Sequence, residues 1–440
     1  MLSATPCQDD DRHSPKSPTG VIIPRILFPA ESIDLYRWAV IACDQHTARP
    51  AYWQETARIV GDATSTLNLI LPEYYLEHPD AVPIEQRIET INTSMRQYLD
   101  LGLLRALDPG CILIDRMTPE HASRIGLVLA IDLDCYDYTP GNKNLIRATE
   151  GTVIERIPPR VAIRRDAPLE LPHVQVLIDD PQRQVIEPLF ETVQANGLDP
   201  LYETALMQGG GSVSGWFIPA DSLQLSRSLE ALHTLDSFVK YGLMMAVGDG
   251  NHSLATAKAH WETNRNHLPE DHPARYALVE VINLHDNGLS FEPIHRAIAG
   301  ISLDQFVQEA LCWFMDQAIC FAPPDDAQSH VNASVVIPVL SQEQNLDMMI
   351  ASPDVSLPVG LLQPFLDHLV LKTPARIDYI HGSSEVRRLA DAGQIGLLLP
   401  AMDKHNLFPS IARDGVLPRK TFSMGEAHEK RYYMECRSIR

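Results

Sequence analysis

The sequence predicts a mixed α/β fold, because strand-like and helix-like segments alternate along the chain without a regular order. Short apolar segments rich in Val, Ile and Leu, such as 111–118 and 125–138, are typical of strands. Apolar residues at helical spacing over 84–104 predict a helix. No repeat with a period of about 20–50 residues is present, so a solenoid or propeller is not expected.

The length of the chain predicts two lobes. A single hydrophobic core usually stops growing at about 250–300 residues, and this chain has 440. Residues 1–20 are polar, acidic and rich in Pro and Ser, and we expect them to form a disordered tail. Because the texture of the sequence changes near residue 300, we expect a main lobe over 21–300 and a C-terminal α/β lobe over 301–440.

The individual elements follow from local composition in chain order. Apolar runs predict strands at 21–29, 38–47, 111–118, 125–138, 173–180, 277–286, 333–340, 346–352, 395–402 and 431–439, and the run at 38–47 continues into a polar loop. Helical spacing predicts helices at 50–60, 84–104, 228–243 and 301–319. Pro50 fits the start of the first of these helices, and Gly102 fits the end of the second. The segment 244–262 predicts a short strand, a tight glycine turn and a helix.

The charge balance excludes two classes of partner. Lys and Arg number 36 and Asp and Glu number 57, which gives a formal net charge of −21. We therefore expect no nucleic-acid binding, which needs a basic surface to neutralise phosphates. We also expect no docking on anionic lipid and no membrane span, since no apolar stretch approaches about 18 residues.

The cysteines and the start of the chain indicate a cytoplasmic protein. The seven cysteines are odd in number and form no CxxC pair, which excludes a disulfide scaffold and a zinc knuckle. The first 20 residues contain no apolar segment of the kind a secretory signal has. The oligomeric state is not indicated by the sequence.

The segment 246–258 carries the clearest chemical signal. An apolar strand ends at Val247, a glycine turn follows over 248–250, and a helix begins near 251–253. The first turn of a helix presents free N–H donors and a partial positive charge, which suits a phosphate. Asp249 and His252 flank this position. The alternative is a purely structural strand–turn–helix corner in which an asparagine caps the helix.

The same segment resembles the DGHHR-type motif of the DUF1015 family, which is itself similar to the ParB/sulfiredoxin-like superfamily that includes free-serine kinases. Four other segments resemble elements of the family in the same order along the chain. They are STLNLILPE (65–73), LIRATEGTVIERIPPR (145–160), FEPIHRAI (291–298) and LPRKTFSMG (417–425). The resemblance extends over most of the chain from about residue 21 and implies a ParB/sulfiredoxin-like core.

This chain departs from the family pattern at three positions. Asn251 stands in place of the first histidine of the motif, and Ser253 in place of its arginine. Thr149 replaces the histidine of an Arg-x-His-Glu block in which Arg147 and Glu150 remain. The changes at 251 and 253 remove groups that contact phosphate, so either another basic residue supplies the charge or nucleotide binding is weakened or lost.

The resemblance implies a small-molecule kinase that transfers phosphate from ATP or ADP to a free hydroxyl compound such as serine. Its implied catalytic residues are Asp249, which would hold Mg²⁺ through water, and His252 or Glu150, which would remove the hydroxyl proton. The implied nucleotide-binding residues are Gly248, Gly250, Asn251, Ser253, Arg147, His295, Arg296 and Lys420. Two alternatives stay open: a non-catalytic nucleotide or metabolite sensor, favoured by the missing arginine, and a nucleotide-independent hydrolase.

Several of these residues also have a structural explanation. Glu150 could equally be a surface acid, His295 and Arg296 a capping pair on a strand edge, and Lys420 an exposed lysine at a strand end. The loop Cys43–Thr47 adds Asp44 and His46 as candidate polar groups of a pocket. Cys43 is not favoured as a nucleophile, because no orienting partner can be named. The 17 histidines form no helical ligand pair, so no metal site is expected.

Overall fold

The structure is a computed structural model, and it describes residues 19–47, 49–77, 82–152, 157–315, 318–324, 335–351 and 357–440. Residues 1–18 of the predicted tail therefore lie outside the described residues. The last two residues of that segment are packed, since Thr19 is buried and the carbonyl of Gly20 accepts a hydrogen bond from the Asp132 amide at 2.8 Å.

The described part of the chain contains twenty strands. In order they are β1 (Val21–Ile22), β2 (Arg25–Pro29), β3 (Leu104–Met117), β4 (Ile125–Asp132), β5 (Tyr136–Asp137), β6 (Ile146–Ala148), β7 (Leu169–Glu170), β8 (Gln175–Ile178), β9 (Tyr202–Ala205), β10 (Ser212–Pro219), β11 (Met245–Asp249), β12 (Tyr276–Asn283), β13 (Phe291–Ala299), β14 (Ala318–Ala322), β15 (Val335–Leu340), β16 (Leu346–Ala351), β17 (Arg376–His381), β18 (Ile395–Leu397), β19 (Phe422–Met424) and β20 (Arg437–Ser438).

Thirteen α-helices accompany these strands within the same described ranges. They are α1 (Leu35–Trp38), α2 (Pro50–Val60), α3 (Tyr74–Glu77), α4 (Ile84–Asp100), α5 (Ile157–Arg165), α6 (Glu187–Ala195), α7 (Leu223–Ala231), α8 (Asp236–Tyr241), α9 (Asn251–Asn264), α10 (Leu303–Trp313), α11 (Pro358–Lys372), α12 (Ser383–Asp391) and α13 (Leu407–Asp414). The predicted mixed α/β class is confirmed.

Two large sheets organise the molecule, the first mixed and the second antiparallel throughout its described strands. The first has the order β5-β6-β11-β8-β12-β4-β3-β10-β9, with β1 paired to β4 and β2 paired to β3. The second has the order β14-β16-β15-β18-β13-β17, with β19 paired to β13. In the first sheet β11 runs parallel to β6 and antiparallel to β8, so the strand before the predicted glycine turn is central and hydrogen-bonded on both sides.

The strand pairing crosses the predicted boundary at residue 301. The second sheet already includes β13, which ends at Ala299. Near the C-terminus β20 pairs with β7, and Ile41 and Tyr432 form an isolated bridge. After forming the second sheet, the chain therefore pairs again with segments that precede residue 300.

Each sheet covers a separate core, and a smaller cluster joins the two. The faces of the first sheet pack two large clusters of buried apolar residues, and the second sheet packs a third against α10 and α11. A fourth cluster contains Leu177 and Ala246 of the first sheet together with Phe291 and Met424 of the second. Burial of apolar area across this junction stabilises one arrangement of the two sheets.

Several of the predicted elements differ in the structure. The predicted helix 301–319 ends as α10 at Trp313, and Ala318–Ala322 form β14. The run at 38–47 is not a regular strand: α1 ends at Trp38, and the residues after it form single hydrogen bonds and one isolated bridge instead of a ladder, as in the 2.9 Å bond from the Ala42 amide to the Arg431 carbonyl. The run is apolar because residues 38–42 are completely buried, which periodicity alone does not distinguish from a strand.

Three further differences between prediction and structure also have local causes. The predicted helix 228–243 is two helices, because Leu235 has an extended backbone with ψ of 132° between them. Only Arg437–Ser438 of the predicted strand 431–439 pairs as a strand. The predicted strand edge at His295 and Arg296 lies inside the sheet, since β13 is bonded on both sides by β17 and β18.

No helix among the described residues is both long enough and apolar enough to span a membrane.

Arg431 is a buried charge that connects the C-terminal segment to β12. It is 4% exposed, and its guanidinium donates to the carboxylates of Glu280 and Glu435 and, at 3.1 Å, to the Pro172 carbonyl. Both carboxylates are also buried. These bonds fix the returning C-terminal segment against β12.

We expect Arg431→Met to lower the unfolding free energy by about 3–5 kcal/mol, because it leaves two carboxylates buried without their cation. Urea denaturation followed by circular dichroism measures the change. Arg388→Ala is the matched control, since Arg388 pairs with Glu385 on the surface of α12 and its loss leaves the midpoint unchanged. An equal effect of the two variants would contradict this account.

Candidate functional site

A cavity of about 1310 Å³ lies where the two sheets meet. The first lobe contributes the loop 43–47, residues 149–151 and the start of α9, and the second lobe contributes residues 378–381 of β17 and the segment 417–430. The glycine turn before α9 is thus open to a concavity, as the sequence hypothesis requires. Polar and charged groups from both lobes face the same space.

The glycine turn is required by close packing. Gly250 has φ of 80°, a left-handed value that glycine adopts without strain, and it forms the N-cap of α9. A side chain at Gly248 would collide with the sulfur of Met424 in β19. The two glycines therefore allow the first sheet, α9 and the second sheet to meet at one corner, with His252 and Ser253 lining the cavity.

Lys430 supplies a cation that the sequence hypothesis did not include. Its ammonium lies 3.1 Å from Oδ2 of Asp249, and its side chain is only 7% exposed. The other oxygen of Asp249 accepts a hydrogen bond from the Gly250 amide at 3.0 Å. Both oxygens of this carboxylate are thus engaged, and Lys430 lines the cavity beside the start of α9.

Asn251 and Thr149, two of the three residues that differ from the family motif, contact each other. The side-chain oxygen of Asn251 accepts from the Thr149 amide, and its amide nitrogen donates to Oγ1 of Thr149, both at 3.3 Å. Thr149 in turn donates to the Val247 carbonyl at 2.6 Å. Asn251 is therefore used to tie β11 to residue 149, and its side chain is buried rather than directed at a ligand.

Glu150 and Lys420 both line the cavity and contact each other through the backbone. The Lys420 amide donates to Oε2 of Glu150 at 2.9 Å, and the Leu417 amide donates to the Thr149 carbonyl at 2.7 Å. The segment after α13 is consequently anchored on residues 149–150. Lys420 has φ of 58°, an uncommon value for a residue with a side chain.

Three predicted nucleotide-binding residues lie away from the cavity. Arg147 donates to the carbonyls of Asn144 and Tyr241, and does not line the cavity. His295 accepts from the Leu399 amide through Nδ1 at 3.1 Å. Arg296 is completely buried and stacks 4.5 Å over the ring of Tyr379. These side chains make contacts with other groups inside the protein and are not available to bind a phosphate.

Asp44 faces the cavity from the loop after the buried run 38–42. Burial alone would raise the pKa of its carboxyl, but the charges of His173, Lys430 and Lys420 and a hydrogen bond from Gln45 lower it below its ordinary value. Asp44 is therefore ionised at neutral pH. Two lysines of the C-terminal segment thus favour the ionised form of this carboxylate.

A chain of polar contacts supports Asp44 from behind. Nε2 of His173 lies 3.8 Å from Oδ2 of Asp44, and Nδ1 of His173 lies 2.7 Å from the Tyr433 hydroxyl. That hydroxyl also accepts from the Cys43 amide at 3.2 Å, so Tyr433 connects the loop 43–44 to His173. Burial, followed by the charges of Asp44 and Glu73, raises the pKa of the Cys43 thiol, which agrees with its rejection as a nucleophile.

A resident metal site does not fit these residues. Among the described residues, no three His, Cys, Asp or Glu side chains are arranged to hold a metal ion. Asp249, the residue expected to hold Mg²⁺, is already neutralised by Lys430. A Mg²⁺ ion that arrives with a nucleotide usually keeps most of its ligands as water and phosphate oxygens, and needs few ligands from the protein.

Sequence reasoning missed Lys430, His173 and Tyr433. His173 precedes β8, whose antiparallel pairing with β11 brings it near the glycine turn. Lys430 and Tyr433 lie 180 or more residues from that turn in the sequence. No local motif marks them, because their contribution depends on the return of the chain to the first lobe.

The two-sheet architecture, with a polar cavity at its junction, defines an α/β protein with a ligand-sized site. The model of a family described as "Protein of unknown function (DUF1015)" matches residues 25–363. The chain belongs to this family, which confirms the relationship inferred from the motifs. The wider likeness to ParB and sulfiredoxin stays a prediction.

Several solved structures are similar to parts of the chain. A mutant of a free serine kinase in complex with AMP has 9% identity and a TM-score of 0.40, covering 70% of this chain and 91% of that one. A conserved hypothetical protein from Pyrococcus furiosus has 9% identity and a TM-score of 0.39, covering 70% and 94%. SbnI from Staphylococcus aureus has 9% identity and a TM-score of 0.36, covering 68% and 82%. No curated protein matches the chain.

Histidine titration at the cavity predicts a loss of stability in acid. Burial, followed by the charges of Arg49 and His428, lowers the pKa of His46, which lines the cavity, to about 4. An unfolded histidine has a pKa of about 6.5. Between these values the unfolded chain takes up a proton that the folded chain does not, so the unfolding free energy falls as the pH falls.

We expect His46→Asn to flatten the fall of Tm between about pH 6.5 and pH 4, measured by scanning calorimetry at several pH values. His267→Asn, a change at an exposed position, serves as the control and keeps the wild-type slope. If His46→Asn and wild type lost Tm in parallel, the account of His46 as a neutral, part-buried group would be disproved.

Proposed function

We propose that this protein is a nucleotide-dependent kinase that phosphorylates a small hydroxyl compound. One observation carries the proposal: the start of α9, two lysine ammonium groups and the ionised carboxylate of Asp44 line the same cavity. Phosphoryl transfer needs little covalent chemistry from a protein, and depends mainly on positioning and on stabilisation of charge. Cations and a carboxylate around one cavity meet both needs.

The phosphates of ATP or ADP would lie against the first turn of α9. The backbone N–H groups there have no carbonyl four residues earlier within the helix, and the helix dipole adds positive potential. Lys430 and Lys420 would supply the cationic charge that the serine at position 253 does not carry. The side chain of Asn251 would not contact phosphate, since it is used to hold Thr149.

The acceptor hydroxyl would lie near Asp44. Its oxygen forms a bond to the transferred phosphorus while the bond from phosphorus to the nucleotide oxygen breaks, and its proton passes to the Asp44 carboxylate. We assign this proton to Asp44 rather than to Glu150, because Glu150 is occupied by the Lys420 amide. His252 lies at the cavity wall, where it would contact the substrate.

The acceptor itself is a proposal at the level of chemical class. The cavity is larger than a nucleotide requires, and several of its walls are charged, which favours a polar hydroxy compound such as serine over an apolar alcohol. A cytoplasmic location and the absence of a nucleic-acid partner remain predictions from the net charge and the cysteines.

Purified protein is expected to consume ATP or ADP when it is given serine or a related hydroxy acid. Phosphorus NMR detects the phosphate ester and the shortened nucleotide directly. The panel includes both nucleotides and several hydroxy compounds, with folding verified by circular dichroism. Turnover without any nucleotide would instead support the hydrolase alternative, and tight binding without turnover would support the sensor.

Asp44→Asn tests the assigned proton acceptor. We expect kcat to fall by about 10²–10⁴-fold, because the amide cannot accept the proton, while the nucleotide dissociation constant changes little. Steady-state kinetics and calorimetry measure the two quantities. The matched control is Asp137→Asn, a carboxylate outside the cavity that accepts a local backbone bond. An unchanged kcat in Asp44→Asn would remove Asp44 from the mechanism.

A further inference from the structure

Left-handed backbone is concentrated around the cavity. Among the described residues, four that are not glycine have positive φ: His46, Arg183, Gln208 and Lys420. Three of them, all except Arg183, line the cavity. Such conformations persist only where the surrounding structure enforces them, and they cluster at functional sites. What enforces the conformation of Lys420 is visible in its hydrogen bonds.

The backbone of Lys420 is held from both sides. Its amide donates to Oε2 of Glu150 at 2.9 Å, and its carbonyl accepts from Nη2 of Arg296 at 3.0 Å. The guanidinium that makes the second bond is itself fixed, since it also donates to the Gln363 side chain at 3.2 Å and stacks on Tyr379. Glu150 follows β6 of the first sheet and Arg296 lies in β13 of the second, so the turn bridges the two sheets.

The turn around Lys420 is closed by shorter contacts as well. Oγ1 of Thr421 donates to the Pro418 carbonyl at 2.6 Å, and the Leu417 amide donates to residue 149. The exposed side chain of Lys420 leaves this turn at the mouth of the cavity. Its charge contributes to lowering the pKa of the Asp44 carboxyl, which lines the same cavity.

We propose that Glu150 is a positioning residue that, with Arg296, holds Lys420 in the left-handed conformation so that its ammonium meets a phosphate group in the cavity. This inference rests on the proposed function only for the class of ligand, a phosphate or diphosphate. It changes the role of Glu150 from a catalytic base, and that of Arg296 from a nucleotide contact, to supports of Lys420. The strained backbone of Lys420 is the conformation that directs its ammonium group to the cavity.

The probe for this proposal is inorganic pyrophosphate, titrated by calorimetry into the full chain. Glu150→Ala and Glu150→Gln remove the same charge, but only Gln keeps an oxygen that can accept from the Lys420 amide. We expect pyrophosphate to bind about 5-fold more weakly to Glu150→Ala than to Glu150→Gln, a difference of about 1 kcal/mol. In the Lys420→Gly background the two variants are expected to bind equally.

A thermal readout tests the strain without any ligand. Lys420→Gly and Lys420→Ala both remove the ammonium, and both weaken pyrophosphate binding by about 10-fold or more. Glycine relieves the left-handed backbone and alanine does not, so Tm of the glycine variant is expected to be about 1–2 °C higher. Arg183→Gly is the matched control, because it relieves φ of 56° outside the cavity and leaves pyrophosphate binding unchanged.

Three results would overturn the proposal. They are no binding of pyrophosphate by wild type, equal binding by the Ala and Gln variants of Glu150, or a difference between those variants that persists in the Lys420→Gly background. The last result would make Glu150 a ligand contact. Since neither readout involves turnover, the expected pattern together with a negative kinase assay would reject the proposed function alone.

Discussion

The burial of Arg431 between Glu280 and Glu435 is the constraint on which the rest of the site depends. A buried guanidinium tolerates little displacement, because each of its bonds compensates the loss of water around a charge. This ion cluster fixes the segment that follows the second sheet against the first. The residues on either side, Lys430 and Tyr433, therefore enter the cavity at defined positions rather than on a mobile tail.

The sequence predicts well those features that depend on neighbours in the chain. The strand, glycine turn and helix over 245–264 are recovered because apolar run, turn chemistry and helix start agree within a few residues. The structure brings Asp249, His252 and Glu150 to one cavity, a convergence that the sequence leaves open, and it buries Arg296, which the motif assigns to a ligand. A pattern of residue types cannot show whether an arginine beside a strand points to a cavity or to the interior.

The features that the sequence does not predict depend on distant contacts. The run 38–42 has the composition of a strand, yet it is buried by the returning segment without joining a ladder. Lys430 pairs with a carboxylate 181 positions earlier (430 − 249), and only the fold establishes that pairing. The loss of the motif arginine at 253 looks like a loss of charge in the sequence, whereas in three dimensions a lysine from another element occupies the same cavity.

The late position of Arg431 and its neighbours has a consequence for how the protein is made. Domains generally fold as units while the ribosome is still adding residues. Here the first sheet can assemble early, but its cavity wall and its buried carboxylates wait for a segment more than 140 residues beyond β12. Until that segment has left the exit tunnel, the nascent chain carries Glu280 without its cation, so the cavity beside the first sheet is completed only after residues 430–435 have emerged.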